Sequence, residues 1–547
     1  MSMAASGRVG VGVLLVLLAA VVVVPLLPGD PSAVRLAGVG ALWWFAACAA
    51  PVVAAVTTCA FLRPPTNAPS SRSNTTVATW ASPVVLVTLA ARVCAGTPDS
   101  PALVLVALVA PLFALLARSA DPMPPTNGVV VLATTAAVGL VLWANLSVVA
   151  DVARPMGVPR HTALVALAAT AFLGMTWRAA RRPVGDTGVL VGAAGVVLPL
   201  VVVGLTVAAP PWTAWTLTAS RAALTFGVTS AWVTDGRALE RSATLVFVEP
   251  HRVTALTPGV YRVVEDTDAQ RSTTREWSLA AGDALTLRPG DRLVLEAGTR
   301  IRFEPGKRVP GSAASGAAWA DPPERRSPQT AAHVLGAALT LVGGALALLP
   351  RPGPRPWRRA VAGPALLLVL TLAVVCWGIY AVYAAPDLML AAPPGAGLVE
   401  LPAVVLSAPG GRALVATCVL ALLLLWVATA LALRDVLAAY AGPASADIAW
   451  AGLLTLAVVA GFWPGDPWRA WLAGCGLAAA SVAAPRFAGG GAHAGLAGSL
   501  AGALAFAGLA AVGGRLPSWA GAVAAYPALV AAPLAWVVVR VAGAPRG

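Results

Sequence analysis

ERSATLVFVEPHRVTALTPGVYRVVEDTDAQRSTTREWSLAAGDALTLRPGDRLVLEAGTRIRFEPGKR, residues Glu240 to Arg308, is the stretch that decides the fold. It carries 10 of the chain's 23 acidic residues, while the sequence on either side is mostly Ala, Val, Leu and Gly. Apolar and polar residues alternate in short runs at 244–248, 252–256, 260–265, 275–279, 284–287, 292–296 and 300–304. Alternation at period two sends successive side chains to opposite faces of a strand. Pro258-Gly259 and Pro289-Gly290 are dipeptides that reverse a chain between strands. The stretch therefore reads as a small all-β domain, a sandwich or a jelly-roll-like barrel.

The end of this domain is readable in register. With Ala297-Gly298-Thr299 as a three-residue loop, Glu296 faces Arg300 and Arg292 faces Glu304 on one side of a hairpin. Leu295 then faces Ile301, and Leu293 faces Phe303, on the other. The spacing from Gly290 through Glu296-Ala297-Gly298, within GDRLVLEAGTRIRF, resembles the second sequence motif of cupins over about fifteen residues. The resemblance implies a jelly-roll-like turn. Glu296 stands where that motif has Pro, Ile301 where it has a metal-binding His, and no His-x-His lies upstream. A cupin metal site is therefore not implied.

Outside this stretch the chain is a membrane protein by composition. The hydrophobic fraction is 58% and the charged fraction 11%, against roughly a quarter charged in soluble domains; mean hydropathy is +0.80. Apolar runs lie near 9–28, 38–61, 76–96, 101–118, 128–150, 161–178 and 187–209, then near 330–350, 362–384, 412–433, 445–463, 467–485, 493–513 and 520–540. A spanning helix needs about 20 apolar residues, so the expectation is about fourteen transmembrane helices. The first run, behind Arg8, reads as an uncleaved helix. The expected fold class is thus a polytopic α-helical membrane protein with one inserted small all-β extracytoplasmic domain.

Five segments follow from this reading: a membrane half at 1–209, an interfacial amphipathic linker at 210–239, the β domain at 240–308, a flexible linker at 309–329 and a second membrane half at 330–547. Trp212, Trp215, Phe226 and Trp232, with Arg221, suggest that the first linker lies in the headgroup region. The second, GKRVPGSAASGAAWADPPERRS from Gly306, shows no periodicity.

The net charge of +14 is almost all Arg, gathered in short loops. It marks the cytoplasmic face and contacts with lipid headgroups, and nucleic acid is not expected as a partner. Arg63 and Arg72, Arg118, Arg178 to Arg182, and Arg351 to Arg359 place their loops inside. Both termini are then cytoplasmic and residues 240–308 periplasmic or extracellular, in what reads as a bacterial inner membrane. Pro64-Pro65-Thr66-Asn67 recurs as Pro124-Pro125-Thr126-Asn127, either a repeat of helix pairs or, on the simpler reading, a stop for one helix and a cap for the next.

Chemistry-bearing patterns are few. The six Cys fall in or beside apolar runs without a Cys-x-x-Cys, and the four His are scattered singly, so no metal or cofactor is expected. Acids outside the polar region sit in loops or at span ends, with Asp30 and Asp151 at the outer boundary. No catalytic residue is assigned. Candidate partner-docking residues are Arg288, Arg292, Glu296, Arg300, Arg302 and Glu304 on the wet face of the β domain, although the opposed charges there pair with one another and a merely solvated face is the simpler reading.

Three functions fit these features. The first is a non-enzymatic multi-pass subunit or scaffold that presents residues 240–308 to other membrane or extracytoplasmic proteins. The second is a transporter or flippase for a neutral or apolar substrate, built from two inverted halves of about seven spans each. The third, least favoured, is an envelope or haem-handling enzyme using His161, His251 and His333.

Overall fold

The computed structural model describes the chain except for residues 1–2, 24–33, 37–38, 62–79, 81, 98, 119–126, 177–180, 228–242, 269–270, 297–298, 321–327, 350–356, 391–396, 407–408, 464, 490, 518–519 and 544–547. Among the described residues nine helices are long and apolar enough to cross a membrane, and three shorter apolar helices accompany them. The chain is a helical membrane protein with a β insert.

Before the insert run α1 (Met3–Val23), α2 (Ala41–Phe61, with a π turn at Phe45–Ala49), α3 (Pro83–Ala95), α4 (Ser100–Arg118), α5 (Gly128–Val152), α6 (Arg160–Thr176), α7 (Arg181–Val207) and α8 (Pro211–Ala219). After it come α9 (Gly316–Ala320), α10 (Pro328–Leu348), α11 (Trp357–Ala384), α12 (Gly410–Ala441), α13 (Pro443–Gly461), α14 (Pro467–Ala478), α15 (Ala492–Val512) and α16 (Ala528–Ala542). Every apolar run of the sequence is helical over most of its described part. Not every one spans alone, however. At about 1.5 Å per residue, α3 reaches only about 20 Å of a hydrocarbon core about 30 Å thick. A π turn at Ala479–Ala483 interrupts the run that begins with α14.

The two halves expected from the sequence form one helical body. α3 packs on α11, α4 on α10, α5 on α14 and α7 on α12, and one continuous apolar core draws on helices from both sides of the insert. Small residues allow the approach. A Cβ on Gly195 would overlap that of Ala421, and one on Gly474 would press on the Ala137 carbonyl oxygen. Between transmembrane helices, where lipid is as apolar as the side chains, such close packing supplies much of the attraction.

The insert holds seven strands: β1 (Ala243–Val246), β2 (His251–Ala255), β3 (Gly259–Asp268), β4 (Arg271–Leu279), β5 (Ala284–Leu287), β6 (Arg292–Leu295) and β7 (Ile301–Phe303). They pair antiparallel as a four-stranded sheet, β1-β6-β3-β4, and a three-stranded sheet, β5-β2-β7. Leu245, Tyr261, Val263, Leu293 and Leu295 from the first sheet meet Val253, Ala255, Leu285, Leu287, Ile301 and Phe303 from the second in one buried core.

This arrangement corrects the hairpin expected at 292–304. β6 pairs with β1 and β3, whereas β7 pairs with β2, so the chain crosses from one sheet to the other between them. Leu295 and Ile301 do both point inward, as their alternation requires, but from opposite sheets. The pattern fixes which face of a strand is apolar. It is indifferent to which strand lies alongside.

Both linkers also differ from expectation. Trp215 of α8 is buried, in ring contact with Trp43 at 5.2 Å and Trp319 at 4.7 Å, while Trp212 stays exposed. Phe226 belongs to the β core, stacked on Phe303 at 4.6 Å; Trp232 lies outside the described residues. The expected flexible linker is packed over 309–320. Val309 and Trp319 are fully enclosed, and Trp319 Nε1 donates to the carbonyls of Val93 at 3.0 Å and Cys94 at 3.1 Å on α3. The Ala, Gly and Ser that suggested a linker instead permit close approach, since a Cβ on Gly316 would overlap the Thr218 carbonyl oxygen.

Entry and exit clasp each other. Phe226 N–H donates to Lys307 O at 2.8 Å, Val309 N–H to Leu224 O at 2.9 Å and Gly316 N–H to Arg221 O at 2.9 Å. Beyond α11, Met389 and Leu390 pack against the β core.

Candidate functional site

The most exposed regular element of the sandwich is β4. Its residues Arg271–Leu279 pair with β3 alone among the described strands, which makes β4 an edge. The pairing sets Trp277 opposite Tyr261 and Arg275 opposite Val263. Directly opposed residues share a face, and Tyr261 and Val263 are buried in the core. Trp277 and Arg275 therefore lie on the inward face, yet they are 42% and 62% exposed. Among the described residues the facing sheet has three strands against four, and the inward side chains of the fourth are left uncovered. An indole stands there, beside a strand edge.

Ion pairs brace the ribbon on both faces. Arg275 meets Glu265 at 3.2 Å on the uncovered inner face, and Arg262 meets Glu276 at 3.1 Å on the outer. Each is a surface pair of about 0.2–1 kcal/mol. β4 contains no Pro, and its described part carries no bulge, the register shift lying at Asp266 to Asp268 on β3. Both devices protect an edge from pairing with another chain; of the protections known for edges β4 carries charged side chains, Arg275 and Glu276.

The six charged residues expected to dock a partner do not form one patch. Arg292 projects from the outer face of the four-stranded sheet, between Val246 and Val264. Arg302 projects from the opposite outer face, beside Thr254. Arg288 and Glu296 are exposed at strand ends, and Arg300 and Glu304 are partly covered, with Arg300 N–H donating to Thr257 Oγ1 at 3.0 Å. The wet face read as continuous belongs to two sheets. Trp277 was missed because its alternation marks it as core; only the unequal strand count exposes it.

Inside the sandwich, His251 is 1% exposed. The rings of Phe226, Phe247 and Phe303 surround its own at 6.5, 5.0 and 6.3 Å, and its Nε2 lies 3.7 Å from Glu249 Oε1. Burial holds its pKa below the usual imidazole range, with Glu249 acting in the opposite direction. Glu249 Oε1 also accepts the Arg308 N–H at 2.7 Å, which ties this corner to the exit strand.

Two buried charge clusters lie in the helical body. Asp151, read as a boundary loop acid, sits inside the last turn of α5 at 1% exposure. It meets Arg160 at 2.9 Å and Arg154 at 3.4 Å, and Arg160 also donates to the Gly461 carbonyl. Arg434 in α12 bonds Asp447 at 2.7 Å and Asp435 at 3.1 Å. Each joins neighbouring helices, α5 to α6 and α12 to α13, and each buried charge meets at least one of opposite sign.

His161 is exposed at the start of α6, His251 is enclosed in the β core and His333 packs on Tyr526 at 6.1 Å. Among the described residues no group of three His, Cys, Asp or Glu is placed to hold a metal ion. No protein family, curated protein or solved structure matches the chain.

Proposed function

We propose that this chain is a non-enzymatic multi-pass membrane subunit that presents its β sandwich to a protein partner outside the cytoplasm, the partner adding an extended segment to β4. One observation carries this reading: an edge strand, Arg271–Leu279, whose inward face is left uncovered around Trp277. Strand addition draws affinity from main-chain hydrogen bonds and specificity from side-chain contacts, and Trp and Arg dominate the energetics of such contacts. The reading includes a bacterial inner membrane, cytoplasmic termini and residues 240–308 on the periplasmic or extracellular side. It also includes about fourteen crossings, with the short helices completing their spans through neighbouring segments.

The test is purification of the tagged chain from its native membrane, with and without Thr274→Pro/Trp277→Ala. Proline removes a backbone donor and Ala removes the indole. A stoichiometric partner is expected to co-elute with the wild type and with Arg292→Ala/Arg302→Ala, and to be lost from the β4 variant. Retention by the β4 variant, with loss from the Arg variant, would return the docking site to the charged faces.

The transporter alternative rests on a different feature. Ser82, the N-cap of α3, is fully buried, and the Val84 N–H donates to Asn145 Oδ1 at 3.2 Å within the 25-residue α5. A short helix whose N-terminus is met by a side chain inside the body resembles the discontinuous helices of secondary transporters. Uptake of a neutral solute into vesicles holding the purified chain would favour this reading.

A further inference from the structure

Independently of the β sandwich's role, we infer that the helical body holds the acyl chain of a phospholipid in a fixed pocket at its sandwich end. A partly open cavity of about 50 Å3 lies between α3, α7, α11 and α12. Ala90, Val196, Trp377, Cys418 and Leu422 line it, with Leu398 of the loop 386–405, and no polar atom reaches its surface. Trp377 turns its one polar atom away, donating Nε1 to the Val196 carbonyl at 3.3 Å. One water needs only about 10–15 Å3 but also two or more polar partners. The cavity has the room without the partners, so hydrocarbon is the occupant that gains by entering.

The depth identifies the source of that hydrocarbon. The helix ends nearest the sandwich are marked by contact: the α3 end by Trp319, the α7 end by the entry to α8, and the α11 and α12 ends by the loop whose Met389 and Leu390 touch the β core. Counting about 1.5 Å per residue from those ends, the lining lies about 8–18 Å down. That is the zone of acyl chains in one leaflet of a bilayer about 30 Å thick. The surrounding lipid supplies such chains in vast excess over any solute.

The segment between α11 and α12 touches both the pocket and the sandwich. Leu398 and Val399 line the cavity, while Met389 and Leu390 of the same loop pack on the sandwich core.

The full-length protein is reconstituted in vesicles of phosphatidylcholine and phosphatidylglycerol containing a trace of phospholipid with a photoactivatable diazirine at mid-chain. Adducts are mapped by mass spectrometry after irradiation. Labelling at 86–90, 374–377 and 418–422 is expected to exceed, several-fold, that at the exposed lipid-facing Leu132 and Leu205. In Ala90→Leu/Leu422→Trp, which fills the cavity, it should fall to the level of those reference sites. A second probe, with the diazirine beside the ester, should label the pocket several-fold less than the mid-chain probe in the wild type, a comparison that needs no variant. Equal labelling by the two probes, pocket adducts no stronger than at Leu132 and Leu205, or labelling unchanged by filling would overturn the inference. Pocket labelling by a free fatty acid with the same mid-chain diazirine, several-fold above that by the phospholipid at equal membrane mole fraction, would overturn its assignment to phospholipid.

Discussion

Protonating His251 would place a cation among the rings of Phe226, Phe247 and Phe303, with the carboxylate of Glu249 3.7 Å away and Lys307, Glu304 and Arg308 nearby. Desolvation lowers its pKa in the fold, whereas the unfolded chain protonates near pH 6.5. The unfolded state therefore binds more protons below that pH, and stability present above about pH 6.5 is lost as the pH falls towards the folded value. Protection of the β2 amides in the full-length protein, corrected for the intrinsic slowing of exchange in acid, should fall on acidification through this window, and His251→Phe should flatten the response; unchanged wild-type protection factors would refute it. Asp151 invites a different comparison. Asp151→Asn leaves the guanidinium groups of Arg154 and Arg160 without their buried carboxylate, a loss of order 3–5 kcal/mol. Glu276→Gln at the surface breaks a pair 45% and 57% exposed, worth at most about 1 kcal/mol. Thermal unfolding in detergent should show a clear fall for the first and almost none for the second. Neither burial was legible in the sequence, because a His beside Pro250 and an Asp at a span end look alike in loop and core.

At the scale of elements, the seven strands were legible and their partners were not. Alternation is a property of one strand and survives any rearrangement of the strands beside it, so β6 and β7 kept their faces while entering different sheets. Helices behaved similarly: each apolar run became helix, but run length alone did not show that α3 is short or that a π turn follows α14. Asn127 was legible. Its side chain accepts the Val130 N–H at 2.9 Å and caps α5, which supports the simpler reading of that tetrapeptide; Pro64 to Asn67 lie outside the described residues. α9 was among the short elements missed, since five residues of Ala, Gly and Trp carry no period. Its importance makes a prediction. Trp319→Ala removes a fully buried indole with two carbonyl contacts, at a cost of about 3–5 kcal/mol. Gly316→Ala forces α9 off the Thr218 carbonyl, an overpacking cost of about 1–3 kcal/mol. Both should lower the unfolding temperature and quicken exchange at 218–226, where the clasp begins. Normal exchange there would mean that α9 packs without holding the clasp.

For the whole molecule, the sandwich and the Arg-rich stretch Arg351 to Arg359 are separated in the chain by one long apolar helix, α10, whose span Ala331–Leu348 has the length and hydropathy to cross. If α10 crosses, those two segments lie on opposite faces however many crossings the rest of the chain makes. Arg in a short loop favours the cytoplasm, which is the basis of the proposal that the sandwich lies outside. The six Cys are buried or partly buried in helices, so replacing them by Ala or Ser gives a background for thiol labelling. In that background Ser278→Cys, on exposed β4, should react with a membrane-impermeant maleimide on intact cells. Arg355→Cys should react only after permeabilisation, and blocking the outer thiol beforehand should not protect it. Reversed labelling would place the sandwich in the cytoplasm and remove the basis for an extracytoplasmic partner. Labelling of both from one side would mean that α10 does not cross, and the single helical body would then have to be redrawn around it.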